Sequence, residues 1–316
     1  MKNKLLITGA NGFVGRTLCA FLSHEEIQFR AVARRDNNDA VSVGSIDGNT
    51  NWSDALLDID VIVHTAARAH ILNDVCLDPL AEFRKVNVEG TLNLARQALA
   101  VGVRRFIFIS SIGVNGNQSS QPFLESDQPN PIEPYALSKL EAEIGLRDLL
   151  AGSSMELVII RPPLVYGAKA PGNFGRLIQA VAKGIPLPLG AIHNQRSLVA
   201  LDNLVDLIFT CIDHPAAANQ IFLAGDGEDL STTELFQKMA NALNVPSRLI
   251  PVPMWMLQSG ARILGKSDMA QRLCGSLQVD ISKARDVLGW TPPLSVDEAL
   301  RKTARGFLDL QKVAKL

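Results

Sequence analysis

The segment Thr8-Gly9-Ala10-Asn11-Gly12-Phe13-Val14-Gly15 restricts the fold more than any other part of the chain. It follows the short apolar run Leu5-Leu6-Ile7 and opens a stretch, residues 13–22, whose apolar residues recur at helical spacing. The order is therefore strand, glycine turn, helix. Glycines three apart permit a tight turn, a close backbone approach to a diphosphate, and close packing of the helix on its sheet. The helix amino terminus presents free N–H groups and the positive end of its dipole to an anion. A dinucleotide is the expected ligand, with Gly9, Asn11, Gly12, Phe13, Val14 and Gly15 around its phosphates.

Further apolar, β-branched or aromatic runs at residues 29–33, 60–64, 105–109 and 156–160 read as strands, and residues 80–100 and 135–150 as helices. Alternating strands and helices predict an α/β fold, a doubly wound parallel sheet of Rossmann type covered on both faces. Residues 1–165 are expected to form this NAD(P)-binding domain. Beyond Pro162 many prolines divide the chain into shorter elements. Residues 166–316 read as a smaller, mixed α/β substrate-binding region with segments packing back on the first. No internal repeat or low-complexity tract is present.

The second strand ends in Ala33-Arg34-Arg35, where an acidic residue would bind the 2′-hydroxyl of NAD. Guanidinium groups there match a 2′-phosphate, so NADP(H) is favoured over NAD(H). The alternative is a pair of solvated arginines, with Asp36 serving the ribose of NAD.

The chain has 316 residues, 47% of them hydrophobic, and a formal net charge of −1, so it can bury a large core and has no charge bias toward nucleic acid or an anionic membrane. Any bound anion needs a local cation. Four cysteines form no C-x-x-C pair, and the five histidines show no ligand spacing, so no metal is expected and a reducing cytoplasm fits best. The amino terminus is too short in apolar residues for a signal core, and no run approaches the roughly 20 apolar residues of a membrane span. Residues 253–264 form an apolar stretch expected to be a core or substrate-lid helix, with a membrane or partner contact as the alternative.

Tyr135-Ala136-Leu137-Ser138-Lys139 sets a phenol and an ammonium four apart, on one helical face. A lysine cation and a positive nicotinamide ring both favour phenolate, which suits Tyr135 to general acid/base work. Lys139 also suits the nicotinamide ribose. Ser111 follows a strand at its carboxyl end, where open α/β sheets build their sites, and can donate to a substrate oxygen. Thr65, Ala66 and Ala67 end another strand on that edge, small enough for the backbone to approach a cofactor.

Taken with Asn87-Val88-Glu89-Gly90-Thr91, Arg161-Pro162-Pro163-Leu164-Val165-Tyr166-Gly167, Arg196-Ser197-Leu198-Val199 and Leu288-Gly289-Trp290, these motifs resemble the extended short-chain dehydrogenase/reductases. Within them the chain is similar to the NAD-dependent epimerase/dehydratase family that acts on nucleotide sugars. The resemblance covers nearly the whole length. It implies a triad of Ser111, Tyr135 and Lys139, with Asn87 completing a tetrad, and Pro162 beside the cofactor. It implies Arg196, and less closely Arg272, on the substrate diphosphate. Ser45-Ile46 stands where the family often has an acidic and an apolar residue at the adenine. Asn115 replaces a tyrosine, and the asparagine usual after the fifth core strand is absent, which leaves Asn173 as the expected substitute.

Ile112-Gly113 after Ser111 lacks the extra acid pair of dehydratases. The resemblance therefore implies action at carbon 4 of a UDP-hexose, either as a reductase of a UDP-4-keto-6-deoxy-N-acetylhexosamine for surface polysaccharide or as a UDP-glucose or UDP-N-acetylglucosamine 4-epimerase. The arginines after the second strand lean toward the reductase. A non-catalytic NAD(P)-binding protein is the remote alternative, and a homodimer through the helices at 80–100 and 135–150 is expected by resemblance.

Overall fold

The structure, a computed structural model, describes residues 4–34, 40–69, 76, 78–263, 265 and 267–313. The apolar runs become parallel strands β1 (Leu5–Thr8), β2 (Phe29–Ala33), β4 (Val61–His64), β5 (Arg105–Ile109) and β6 (Glu156–Arg161). Two strands not foreseen, β3 (Val41–Ser42) and β9 (Gln220–Leu223), extend the sheet to the order β3-β2-β1-β4-β5-β6-β9, parallel throughout. The chain winds outward from β1 to β3, then crosses back to β4. That reversal opens a crevice at the carboxyl ends of β1 and β4.

Successive residues of each strand face opposite layers. Leu5, Ile7, Val61, Val63, Ile107 and Val158 meet α1 (Phe13–His24) and α6 (Leu201–Asp213). Leu6, Ile62, Phe106, Phe108 and Ile159 meet α3 (Thr91–Ala100) and α4 (Pro134–Leu150). Burial on both faces is why these strands read as unbroken apolar runs. The helix expected over 80–100 is α2 (Pro79–Arg84), a π-helical turn Lys85–Gly90, and α3. Gly90 in that wide turn lies against Ile46, whose Cγ2 would be 2.8 Å from an added Cβ.

A second core gathers Tyr166, Phe174, Ile178, Leu198, Phe236, Leu300 and Phe307. It belongs to a small sheet, β10 (Asp229–Leu230), β8 (Arg196–Ala200) and β7 (Leu164–Tyr166), with α5 (Asn173–Ala182), α7 (Thr232–Ala242) and α11 (Val296–Val313). From α10 (Ser282–Leu288) the chain returns to the large sheet: Trp290 joins its core and donates from Nε1 to Asp206 at 2.7 Å. Helices α8 (Met254–Ile263) and α9 (Ser267–Cys274) complete the fold. Of the two expectations for residues 253–264, a core or a substrate-lid helix, the core helix is corrected: no residue of α8 is buried, and Trp255 is 67% exposed, while residue 264 lies outside the described residues. Its one half-buried apolar anchor on the second core, Leu257, is too little to sink the helix.

Candidate active site

At the carboxyl end of β1, Gly9 has φ +69°, and an added Cβ would sit 2.7 Å from Ala66 N. Gly15 packs on the Gly9 carbonyl so closely that no Cβ fits between them. Gly12 caps α1 with no side-chain hydrogen bond, and the first turn carries no acidic residue. The N–H groups of this turn therefore remain for an external anion. Phe13 turns its ring toward Gly167 and Leu201, so Phe13 and Val14 bring backbone to the turn. Asn11 carries its carbonyl oxygen to Arg16 Nη2 at 3.0 Å. These residues fit the diphosphate of a dinucleotide.

Beside the turn, Thr65 Oγ1 donates to Thr8 O at 2.6 Å, Ala66 is buried and Ala67 exposed. His64, at the end of β4, lies between Thr8 Oγ1 at 2.7 Å and Thr91 Oγ1 at 2.9 Å. Burial, aided by the Lys139 cation, pushes its imidazole down to about 3, so it is neutral. Arg34 stands exposed at the end of β2; Arg35 and Asp36 lie outside the described residues. Ser45 is exposed and its carbonyl accepts from Thr50 Oγ1 at 2.7 Å. The side chain of Ile46 is 5% exposed and belongs to the core, against Gly90.

The Ser111, Tyr135 and Lys139 elements converge at the ends of β5 and β6. Ser111 opens a tight 3-10 turn, Ile112–Val114, its Oγ accepting from Gly113 N at 3.1 Å. Gly113 lies against the first turn of α4: a Cβ there would meet Ala136 Cβ at 3.1 Å and Ser111 Oγ at 3.3 Å. Pro134 starts α4, where a missing N–H costs nothing, and sets Tyr135 in its first turn with its ring edge-on to Phe83 at 6.0 Å. Among the described residues the Tyr135 hydroxyl has no hydrogen-bond partner, and burial pushes it up to about 12. Lys139, 2% exposed, donates to Ile109 O at 2.8 Å and lies 4.4 Å from the Phe108 ring centroid. Burial pushes it down to about 7, with Glu143 pulling the other way.

Asn87, fully buried in the π turn, accepts from Arg68 N at 2.8 Å and donates to Ser138 Oγ at 2.9 Å. Ser138 in turn donates to Tyr135 O at 2.7 Å, so Asn87 ties the loop after β4 to the turn carrying the phenol. Pro162 is buried after β6, its carbonyl accepting from Ile112 N at 2.9 Å. Arg196, half-buried at the start of β8, donates to Gly275 O at 3.0 Å. Burial and the nearby Arg272 cation hold Arg196 below its usual value, so the two guanidinium groups share a region. Arg272 on α9 pairs with Glu133, two residues before Tyr135, at 2.7 Å. Asn173 begins α5; its side chain lies outside the described residues.

Sequence reasoning missed the polar groups beneath this surface, Ser110, Glu143 and Arg161. Glu143 continues the four-residue spacing of Tyr135 and Lys139, a signal present in the sequence. No group of three or more His, Cys, Asp or Glu suited to a metal occurs among the described residues. Among them no helix is long and apolar enough to cross a membrane.

A family model described as the NAD dependent epimerase/dehydratase family matches residues 5–225. A Vibrio cholerae protein named UDP-glucose 4-epimerase is 47% identical, covering 98% of this chain and 96% of the relative. An Escherichia coli O157:H7 protein, named for 4-epimerisation of N-acetylglucosaminyl-diphospho-undecaprenol, is 28% identical across 96% of this chain and 95% of its own. The solved structure of MoeE5 with UDP-glucose and NAD superposes with a TM-score of 0.80 at 23% identity, covering 98% and 99% of the two chains. RMD from Pseudomonas aeruginosa with NADPH gives 0.75 at 21% identity, covering 97% and 99%.

Proposed function

Because the chain belongs to the NAD-dependent epimerase/dehydratase family, we propose that it moves a hydride at carbon 4 of a UDP-linked hexose, and that it is a 4-epimerase. The observation that carries the choice is the 47% identity, across nearly the full length of both chains, to a protein named UDP-glucose 4-epimerase. In this reading residues 1–165 hold the cofactor and residues 166–316 the sugar nucleotide. Gly9, Asn11, Gly12, Phe13, Val14 and Gly15 take the cofactor diphosphate, while Ser45, Thr65, Ala66, Ala67 and Pro162 line its course. When bound, the nicotinamide supplies or accepts the hydride.

The chain's own residues move the proton. Tyr135 Oη takes the proton of the sugar hydroxyl and returns it to the ketone oxygen, to which the Ser111 hydroxyl donates. Lys139 lends the charge that makes phenolate accessible in a group burial otherwise holds protonated. Asn87 keeps the Tyr135 turn in place. Arg196 and Arg272, the two guanidiniums at the mouth, supply the local charge for a substrate diphosphate, with Asn173 a further contact. A homodimer through α2, α3 and α4 is part of this reading; Ile144 on α4 is 49% exposed.

A second reading rests on Arg34: the end of β2 is basic, which suits NADPH and a 4-ketoreductase. Incubation of the purified protein with UDP-galactose or its N-acetyl form, and separately with NADPH and UDP-4-keto-6-deoxy-N-acetylglucosamine, decides between them. Interconversion to the gluco form without net cofactor oxidation supports the epimerase. Stoichiometric oxidation of NADPH with a reduced sugar supports the reductase, and in that case Arg34→Ala weakens NADPH more than NADH. Equal losses for both cofactors remove Arg34 from ribose recognition.

A further inference from the structure

Beneath the triad lies a closed polar cluster, Ser110, Glu143, Arg161 and Asn115, each 3% exposed or less. Glu143 Oε1 accepts from Ser110 Oγ at 2.5 Å and from Arg161 Nε at 2.9 Å. Its Oε2 accepts from Arg161 Nη2 at 2.5 Å. Arg161 Nη1 donates to Asn115 Oδ1 at 2.9 Å, and Asn115 Nδ2 donates to Leu124 O at 3.0 Å. Burying an ion pair is a poor way to gain stability, since apolar packing of the same volume often does as well. The pair therefore calls for another account.

Each member adjoins the site. Ser110 precedes Ser111, and Glu143 follows Lys139 by one helical turn and Tyr135 by two. Arg161 precedes Pro162, whose carbonyl holds the turn after Ser111, and Asn115 closes that turn. Three elements thus meet at one carboxylate. We propose that Glu143, clamped by Arg161, is a positioning residue of the reaction: it fixes the Ser110-Ser111 corner against α4 and supplies the negative charge behind Lys139. The proposal rests on the assignment of Tyr135 and Lys139 made above.

The titratable groups acting on Lys139 are Glu143 on α4 and His64 on β4, with Arg161 of β6 beyond Glu143 and Arg147 reaching Glu143 from outside at 3.5 Å, and Tyr135 lies one helical turn before Lys139 on α4. His64 is neutral above about 3, so Glu143 is the one anion acting on Lys139 among the described residues. Removing that charge makes Lys139 release its proton at lower pH, which in turn makes the Tyr135 phenolate harder to form.

Glu143→Gln tests this with two readouts. In turnover of UDP-galactose with NAD, or of the 4-keto sugar with NADPH, kcat falls about tenfold or more with KM little changed, the pattern of a contact that matters in the transition state. The alkaline limb of the rate profile moves down by about one pH unit, the size expected for a lost opposite charge. The second readout needs no substrate. In the NAD-saturated protein carrying 13C-labelled lysine, the Lys139 side-chain resonance, which titrates well below an ordinary lysine, moves its midpoint to lower pH. Glu143→Asp, which keeps the charge, restores the limb.

A folded Glu143→Gln protein with unchanged kcat, or with an unmoved Lys139 titration, overturns the proposal. If Glu143→Gln does not fold, Ser110→Ala takes its place, and an unchanged kcat there overturns the positioning role. Tyr135→Phe in parallel separates the two levels. Full turnover in that variant removes the triad itself, whereas its loss beside a wild-type-like Glu143→Gln removes the cluster alone.

Discussion

Lys139 is charged only at a cost, since its amine has left water for the space between Phe108 and Ile109. It titrates near 7 in the fold against 10.5 for an ordinary lysine, so across that window the unfolded chain binds more protons than the folded one. Stability attributable to this group therefore rises with pH between those values, and the penalty is complete below about 7. Lys139→Met is expected to abolish turnover yet raise stability near pH 6 by at most about 5 kcal/mol, a gain that fades toward pH 10. Thermal melts across that range check it, and a gain that grows with pH refutes it. Tyr135→Phe is expected to lower turnover by at least about 100-fold while cofactor affinity, read by fluorescence quenching, stays near wild type. The Tyr135–Lys139 spacing is common on helices, and the pair was singled out by context, the Ser110-Ser111 strand end and the glycine turn elsewhere in the chain. Glu143 was not singled out, because a glutamate on a helix is usually a solvated one, and its burial depends on Arg161, eighteen residues away on another element.

At the scale of elements, the strand-turn-helix unit at residues 5–24 was legible in full, since a glycine with a left-handed φ and a helix pressed on the preceding carbonyl demand that composition. Gly9→Ala is expected to cost about 1–3 kcal/mol in stability from the positive φ alone, and the 2.7 Å approach to Ala66 N adds displacement of the loop after β4. Denaturant unfolding with and without NAD measures both effects. Equal losses in the two titrations confine the damage to the fold, and a larger loss with NAD extends it to the cofactor turn. The π turn at Lys85–Gly90 was invisible, since nothing in local spacing distinguishes it from ordinary helix. Its extra width reflects tertiary demands, Asn87 bonded inward to Arg68 and Ser138 and Gly90 against Ile46. β3 is two exposed residues long, too short for periodicity to declare.

For the whole molecule, residues from both ends of the chain share one core: Trp290 packs with Leu5, Ile7 and Leu204 and holds Asp206 on α6. Trp290→Ala is expected to cost about 3–5 kcal/mol, the usual range for deleting a buried aromatic. Because that core spans both halves, unfolding is expected to stay one cooperative transition by tryptophan fluorescence and circular dichroism alike. Two separated transitions would show that the halves unfold independently. The crossover from β6 to β9 leaves the sheet at its carboxyl edge, where β7, α5 and β8 are inserted before α6 carries the chain back under the sheet. Those inserted elements hang from an edge whose strand pairing they do not supply. Over evolutionary time such an arrangement lets the inserted region, proposed above to hold the sugar nucleotide, change length and lining by drift, while the Gly9 turn and the strands beneath it are held to one solution.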